Sequence, residues 1–154
     1  MSGSIEPRIA EMGIALPAPA APAANYVPFM RSGNLLFTAG QLPLRDGKLA
    51  STGLVGADLD VATGQDAARQ CAINILAQAK AALGSLDSVA RIVKITVFVA
   101  SAPGFTQQHF VANGASDLLA EVFGEAGQHA RSAVGVASLP LDAPVEIEAI
   151  IECK

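Results

Sequence analysis

Between Ala68 and Phe123 the apolar residues change their period twice, and this constrains the fold more than any other feature of the chain. Ala68, Cys71, Ala72, Ile75, Leu76, Ala79, Ala82 and Leu83 recur at helical spacing. They line one face of a helix, and Gly84 is placed to end it. Over 91–100 the pattern becomes β-branched alternation, with Val93, Ile95, Val97 and Val99 on one face and Lys94, Thr96 and Phe98 on the other. A second helix is predicted over 105–123, with Leu118, Leu119, Val122 and Phe123 on its buried side. A strand lodged between two helices is reached and left by crossovers, so its sheet is mixed and both helices can cover one face.

Upstream, short strand-like runs at 27–30 and 35–39 flank Arg31-Ser-Gly-Asn34. Residues 41–44 and 48–49 flank Arg45-Asp-Gly47, a second turn signal, and 51–60 read as loop. Downstream, strands are predicted over 132–138 and 145–153. The order is hairpin, helix, strand, helix, strand, strand, which is an α+β fold. Ahead of it, Ser4 can cap a short helix over 5–13. A Pro/Ala-rich run follows over 16–24, with the composition of an extended linker lying along the surface. The 154 residues therefore divide into an extension, 1–24, and one domain, 25–154.

Helices on one side leave the other sheet face with Val and Ile to cover. Charged residues make up only 16% of the chain, below the roughly 25% usual for a soluble domain. Part of the apolar surface is therefore expected to be buried between copies of the chain. Lys and Arg total 10 against 14 Asp and Glu, a net charge of -4, and the basic residues are scattered singly. With no Trp for stacking either, a nucleic-acid partner is not expected. The longest uncharged run, 12–30, carries Pro17, Pro19, Pro22 and Pro28, a poor membrane span. Glu6 and Glu11 stand where a signal peptide would have its basic region and apolar core. The expectation is a cytoplasmic protein with no membrane partner, and with Cys71 and Cys153 as free thiols.

Phosphate loops, dinucleotide fingerprints and nucleophile elbows are absent from the sequence. His109 and His129 lie far apart without carboxylates at ligand spacing, so no metal is expected. Cys71 falls on the apolar helix stripe and reads as a buried, inert thiol. The stretch that draws attention is His129-Ala-Arg-Ser-Ala-Val-Gly-Val-Ala-Ser-Leu-Pro140, followed by Val145-Glu-Ile-Glu-Ala-Ile-Ile151. Arg131 opens an otherwise uncharged strand, and its fork of donors suits bidentate capture of a carboxylate. Glu146 and Glu148, two apart, share one face of the last strand. Arg131 therefore either binds a ligand carboxylate or forms a structural ion pair with one of these glutamates, and periodicity leaves both open.

Tyr26-Val, Gly33-Asn-Leu-Leu-Phe-Thr-Ala-Gly-Gln-Leu-Pro43, Gly84-Ser-Leu-Asp-Ser-Val-Ala-Arg-Ile-Val-Lys-Ile-Thr-Val-Phe-Val99, Ala130-Arg-Ser132, Leu139-Pro140 and Glu146-Ile-Glu-Ala-Ile150 follow one another in order. Through these blocks the chain, over about 26–152, resembles the YjgF-type family. That family is also called Rid, for reactive intermediate deaminase, or endoribonuclease L-PSP. The resemblance implies a chorismate-mutase-like homotrimer with ligand clefts between subunits and no cofactor. It implies that Arg131 binds the carboxylate of a 2-imino or enamine acid and that Glu146 places or activates water. A 2-keto acid and ammonia would result. Tyr26 and Asn113 would line the cleft, together with the positions of Ala39 and Ala133. Those last two depart from the pattern, which has serine before the Gly-Gln pair and cysteine two residues after the arginine. His129 stands where proline is usual; it reads as a solvated loop residue or as a polar group at the cleft mouth. Without the missing hydroxyl and thiol, a non-catalytic binder or sensor of small carboxylates is the alternative to a deaminase. An endoribonuclease is disfavoured by the acidic charge balance.

Overall fold

The computed structural model describes residues 4–19 and 25–154. Its strands are β1 (Phe29–Ser32), β2 (Leu35–Thr38), β3 (Leu44–Arg45), β4 (Lys48–Leu49), β5 (Val89–Ala100), β6 (Ala130–Val136) and β7 (Val145–Cys153). The α-helices are α1 (Ile5–Glu11), α2 (Val61–Leu83) and α3 (Gln108–Phe123). Five strands form one sheet in the order β1-β2-β7-β5-β6, while β3 and β4 pair as a separate hairpin. The β5–β6 contact is parallel and is bridged by α3; the other contacts in the sheet are antiparallel. This is the mixed α+β sheet that the two changes of period require.

Helices α2 and α3 cover one face. Ile92, Ile95, Val97 and Val99 of β5 and Val145, Ile147, Ala149 and Ile151 of β7 are buried there against Cys71, Ile75, Leu76, Leu118 and Leu119. Each fully buried Leu or Ile contributes about 1.5–3 kcal/mol by leaving water. The two helices cross closely where Gly114 meets α2, since a Cβ at Gly114 would stand 2.0 Å from the Gln65 carbonyl oxygen. The opposite face carries Phe37, Phe98, Val134 and Ile150 among Lys94, Thr96, Ser132, Glu146 and Glu148. Phe37 and Val134 are 39% and 44% exposed. No helix among the described residues is long and apolar enough to cross a membrane.

Several boundaries differ from the sequence reading for physical reasons. Helix α2 begins at Val61, two turns before Ala68, and is capped by the Asp60 carboxylate, which accepts from the Thr63 N–H at 2.8 Å. Strand β5 carries an irregularity opposite β7 between Ile92 and Lys94, so Ile92, 1% exposed, takes the buried place expected for Val93. In the first hairpin, Arg31 and Ser32 belong to β1 and pair with Leu36 and Leu35. The turn shrinks to Gly33-Asn34, with Gly33 at φ 61°. Strand β6 starts at Ala130, two residues early, and helix α3 starts at Gln108 instead of 105.

The N-terminal helix is docked onto the domain. Ser4 does not cap it with its side chain; its hydroxyl donates to Asp87 at 3.3 Å. The same Asp87 oxygen accepts from the backbone N–H groups of Ser4 and Ile5, so the cap comes from the turn before β5. Arg8 donates to the Val122 carbonyl at 2.8 Å, at the end of α3, and Ile9 is 2% exposed. Leu16 packs against the core. Of the Pro/Ala-rich run, 20–24 lies outside the described residues.

Candidate functional site

Arg131 lies on β6, at the edge of the sheet. Its register partner is Ile95, which faces the helices, so the arginine side chain rises along α3. There Nη1 donates to Asn113 Oδ1 at 2.9 Å and to Ser116 Oγ at 3.1 Å, and Nη2 donates to the His109 carbonyl at 3.2 Å. Asn113 and Ser116 are three apart on α3 and so present to the same side. Three of the five guanidinium N–H groups are thus held by α3. The Nε–H and the second Nη2–H have no acceptor among the described residues. The ion pair with Glu146 or Glu148 does not form: among the described residues the one salt bridge joins Arg91 to Glu152, at 3.8 Å. Ala133, two residues on, also faces the helices and packs against the core.

Ser116 carries the network further. Its hydroxyl lies 2.9 Å from Nε2 of His129, and Nδ1 of His129 lies 2.6 Å from the Gly127 carbonyl. A carbonyl can only accept, so Nδ1 bears the proton, and in the neutral ring Nε2 then accepts from Ser116. His129 is therefore held at both ring nitrogens and is not the solvated loop residue considered above.

Glu146 stands elsewhere. Its register partner is Phe98, on the face away from the helices, where it is half-buried. Burial, and then the negative charge of Glu148 on the same face, raise its pKa above the ordinary carboxylate value. The segment after β2 runs beside it, since Gln41 and Ile147 exchange backbone hydrogen bonds of 2.8 and 3.1 Å. This brings Gly40 against the carboxylate: a Cβ there would stand 2.9 Å from the Glu146 carboxyl carbon. Glycine is the residue that leaves this carboxyl its place. Tyr26, 53% exposed, and Ala39 and Gly40 line a cavity of about 490 Å³, closed on another side by Pro17 and Pro19.

The predicted site residues thus fall into two groups. Arg131, Asn113 and Ala133 meet at the α3 edge of the sheet, Tyr26 and Ala39 line a cavity with Gly40, and Glu146 packs against Gly40 without lining that cavity. Within one chain Arg131 and Glu146 belong to opposite faces, because their partners on β5, Ile95 and Phe98, are an odd number apart. Ser116 was missed by the sequence reading, and no spacing motif marks it. A second cavity, of about 380 Å³, is lined by Arg45, Asp66 and Arg69 and contains none of the predicted residues. Cys71 is fully buried, and burial pushes its thiol pKa well up, as an inert cysteine requires.

Comparison with known proteins follows the same lines. The family model described as "YjgF/chorismate_mutase-like, putative endoribonuclease" matches residues 6–151. Protein TCP17 of Trypanosoma cruzi is 54% identical over 152 residues, 98% of this chain and 95% of its own. The crystal structure of Atu1372 from Agrobacterium tumefaciens, a protein with unknown function, is 58% identical and superposes with a TM-score of 0.92. It covers 97% of this chain and 92% of that one. The crystal structure of E. coli TdcF with bound serine is 29% identical, has a TM-score of 0.66, and covers 89% and 94% of the two chains. With the family model matched over nearly its whole length, the chain belongs to the YjgF/chorismate-mutase-like family.

Proposed function

We propose that the protein hydrolyses reactive 2-imino and enamine acids to 2-keto acids and ammonia, in clefts between the subunits of a homotrimer. The observation that carries this reading is the state of Arg131. It is oriented by three neutral acceptors, has no acidic partner among the described residues, and keeps two N–H groups free. A substrate carboxylate supplies the missing negative charge. The serine bound to TdcF, a small molecule bearing a carboxylate, supports a ligand of this class. Since Arg131 and Glu146 occupy opposite faces of one chain, a site using both takes Glu146 from a neighbouring copy. The exposed apolar residues of the uncovered sheet face support that assembly.

The chemistry asks little of the protein. Water adds to the C=N carbon, the resulting carbinolamine collapses, ammonia leaves with the proton it needs, and the 2-keto acid remains. Imines hydrolyse readily in water, so orientation and a polarised water suffice, without metal or organic cofactor. Glu146, with its pKa raised by burial, is suited to take a proton from the attacking water and return it to the leaving nitrogen.

A second reading, a binder or sensor of small carboxylates, is favoured by Ala39 and Ala133, which offer methyl groups where a hydroxyl or thiol could order water. Release of ammonia or keto acid from imines generated in situ by an amino-acid oxidase separates the two. We expect acceleration by the wild type that disappears in Arg131→Ala. Ligand-induced thermal stabilisation without turnover would leave the binder standing instead.

A further inference from the structure

Ser116 and His129 form a hydrogen-bonded chain that ends on the guanidinium of Arg131. We propose that His129 and Ser116 form a positioning pair for Arg131, fixing the direction of its hydrogen bonds so that its free N–H groups face a ligand carboxylate. This inference rests on the reading of Arg131 as the carboxylate-binding group.

Ser116 has a single hydroxyl proton, and its oxygen lies 3.1 Å from Nη1 of Arg131 and 2.9 Å from Nε2 of His129. A guanidinium can only donate, so Ser116 accepts from Arg131, and toward the neutral ring of His129 it sends its own proton. His129 can receive it because Nδ1–H is committed to the Gly127 carbonyl at 2.6 Å, which leaves the lone pair on Nε2. With the ring neutral, every bond from Gly127 to Arg131 has one direction. With Asn113 Oδ1 at 2.9 Å, both Nη1 protons are engaged. The guanidinium plane cannot then turn without breaking two bonds from a charged donor. Without His129 the hydroxyl proton would be free to point elsewhere, and the acceptor offered to Arg131 would no longer be fixed.

The pair also follows from local sequence. Ser116 is three residues beyond Asn113 on α3, and His129 directly precedes β6, two residues before Arg131. One helix face and one strand start therefore converge on a single guanidinium.

The test uses the full-length protein and 2-oxobutanoate as the carboxylate probe, with calorimetric binding as the readout. We compare the wild type with Ser116→Ala, Ser116→Thr, His129→Phe and Arg131→Ala, and follow the melting temperature of each. Alanine is the best helix former, so Ser116→Ala keeps α3 intact, and His129→Phe is an independent second probe of the pair. We expect Ser116→Ala and His129→Phe each to raise the Kd about tenfold, the size of losing one hydrogen bond to a charged group. Ser116→Thr, which keeps the hydroxyl, should restore near wild-type binding, a rescue that a packing role would not produce. In imine turnover the two weakened variants should raise KM with kcat held, as loss of uniform binding does. If both bind the probe as the wild type does while Arg131→Ala does not, the positioning role is wrong and the carboxylate reading stands. Should the wild type fail to bind, or Arg131→Ala bind equally well, the carboxylate reading falls and takes the inference with it.

Discussion

Glu146 is the residue on which a deaminase and a binder part. Its carboxyl is half-buried, sits beside Gly40 and has a raised pKa, whereas Glu148 on the same face is exposed. Glu146→Gln keeps the shape and removes the ability to exchange a proton. Turnover should fall about 10²-fold or more, the usual scale of general acid–base catalysis, while keto-acid binding, measured separately, persists. Gly40→Ala makes a complementary change: the new methyl would displace the carboxyl without altering its charge. It should lower turnover in the same direction by a smaller factor. Unchanged rates in both variants would remove Glu146 from the reaction.

At the scale of elements, most of what positions these residues is legible in the sequence where periodicity is strong, and lost where small residues dilute it. The alternation of β5 and the stripe of α2 announce the mixed sheet, but the first two turns of α2 do not. Gly64, buried against Val111, allows close packing with no apolar side chain to count. The signal that could have found the true start was Asp60, followed three residues later by the Thr63 N–H it caps. That carboxylate has a lowered pKa, chiefly through the backbone hydrogen bond from Thr63. A group with a depressed folded-state pKa stabilises above its unfolded value and loses that contribution as pH falls through the folded one. Asp60→Ala should therefore lower the melting temperature at neutral pH, with the difference from wild type vanishing in acid. An equal difference at both ends of the range would show that the cap is not the cause. Arg131, Glu146, Tyr26 and Ala39 stand in the blocks through which the chain resembles its family, and Asn113, outside those blocks, meets Arg131 in the structure. The Ser116–His129 link was not legible, because a contact between a helix face and a strand start leaves no regular spacing in the chain.

Across the whole molecule, the described residues leave one sheet face uncovered, and on that face Glu146 points away from its own Arg131. Assembly and activity should then stand or fall together. Val134, 44% exposed on that face beside Phe98, is a suitable probe because it lies far from the helix-side core. We expect sedimentation to give three copies for the wild type and fewer for Val134→Glu, with imine turnover lost in step and the monomer still folded. Full activity in a monomeric variant would rule out a shared site. The order of the sheet has a consequence for how the chain is made. Strand β7, which follows the other six strands in the chain, lies between β2 and β5, so the hairpin of β1 and β2 has no sheet to join until β7 emerges from the ribosome. The nascent chain can zip α2, β5, α3 and β6 against one another, but β1 and β2 wait, edge exposed, for the strand that also delivers Glu146.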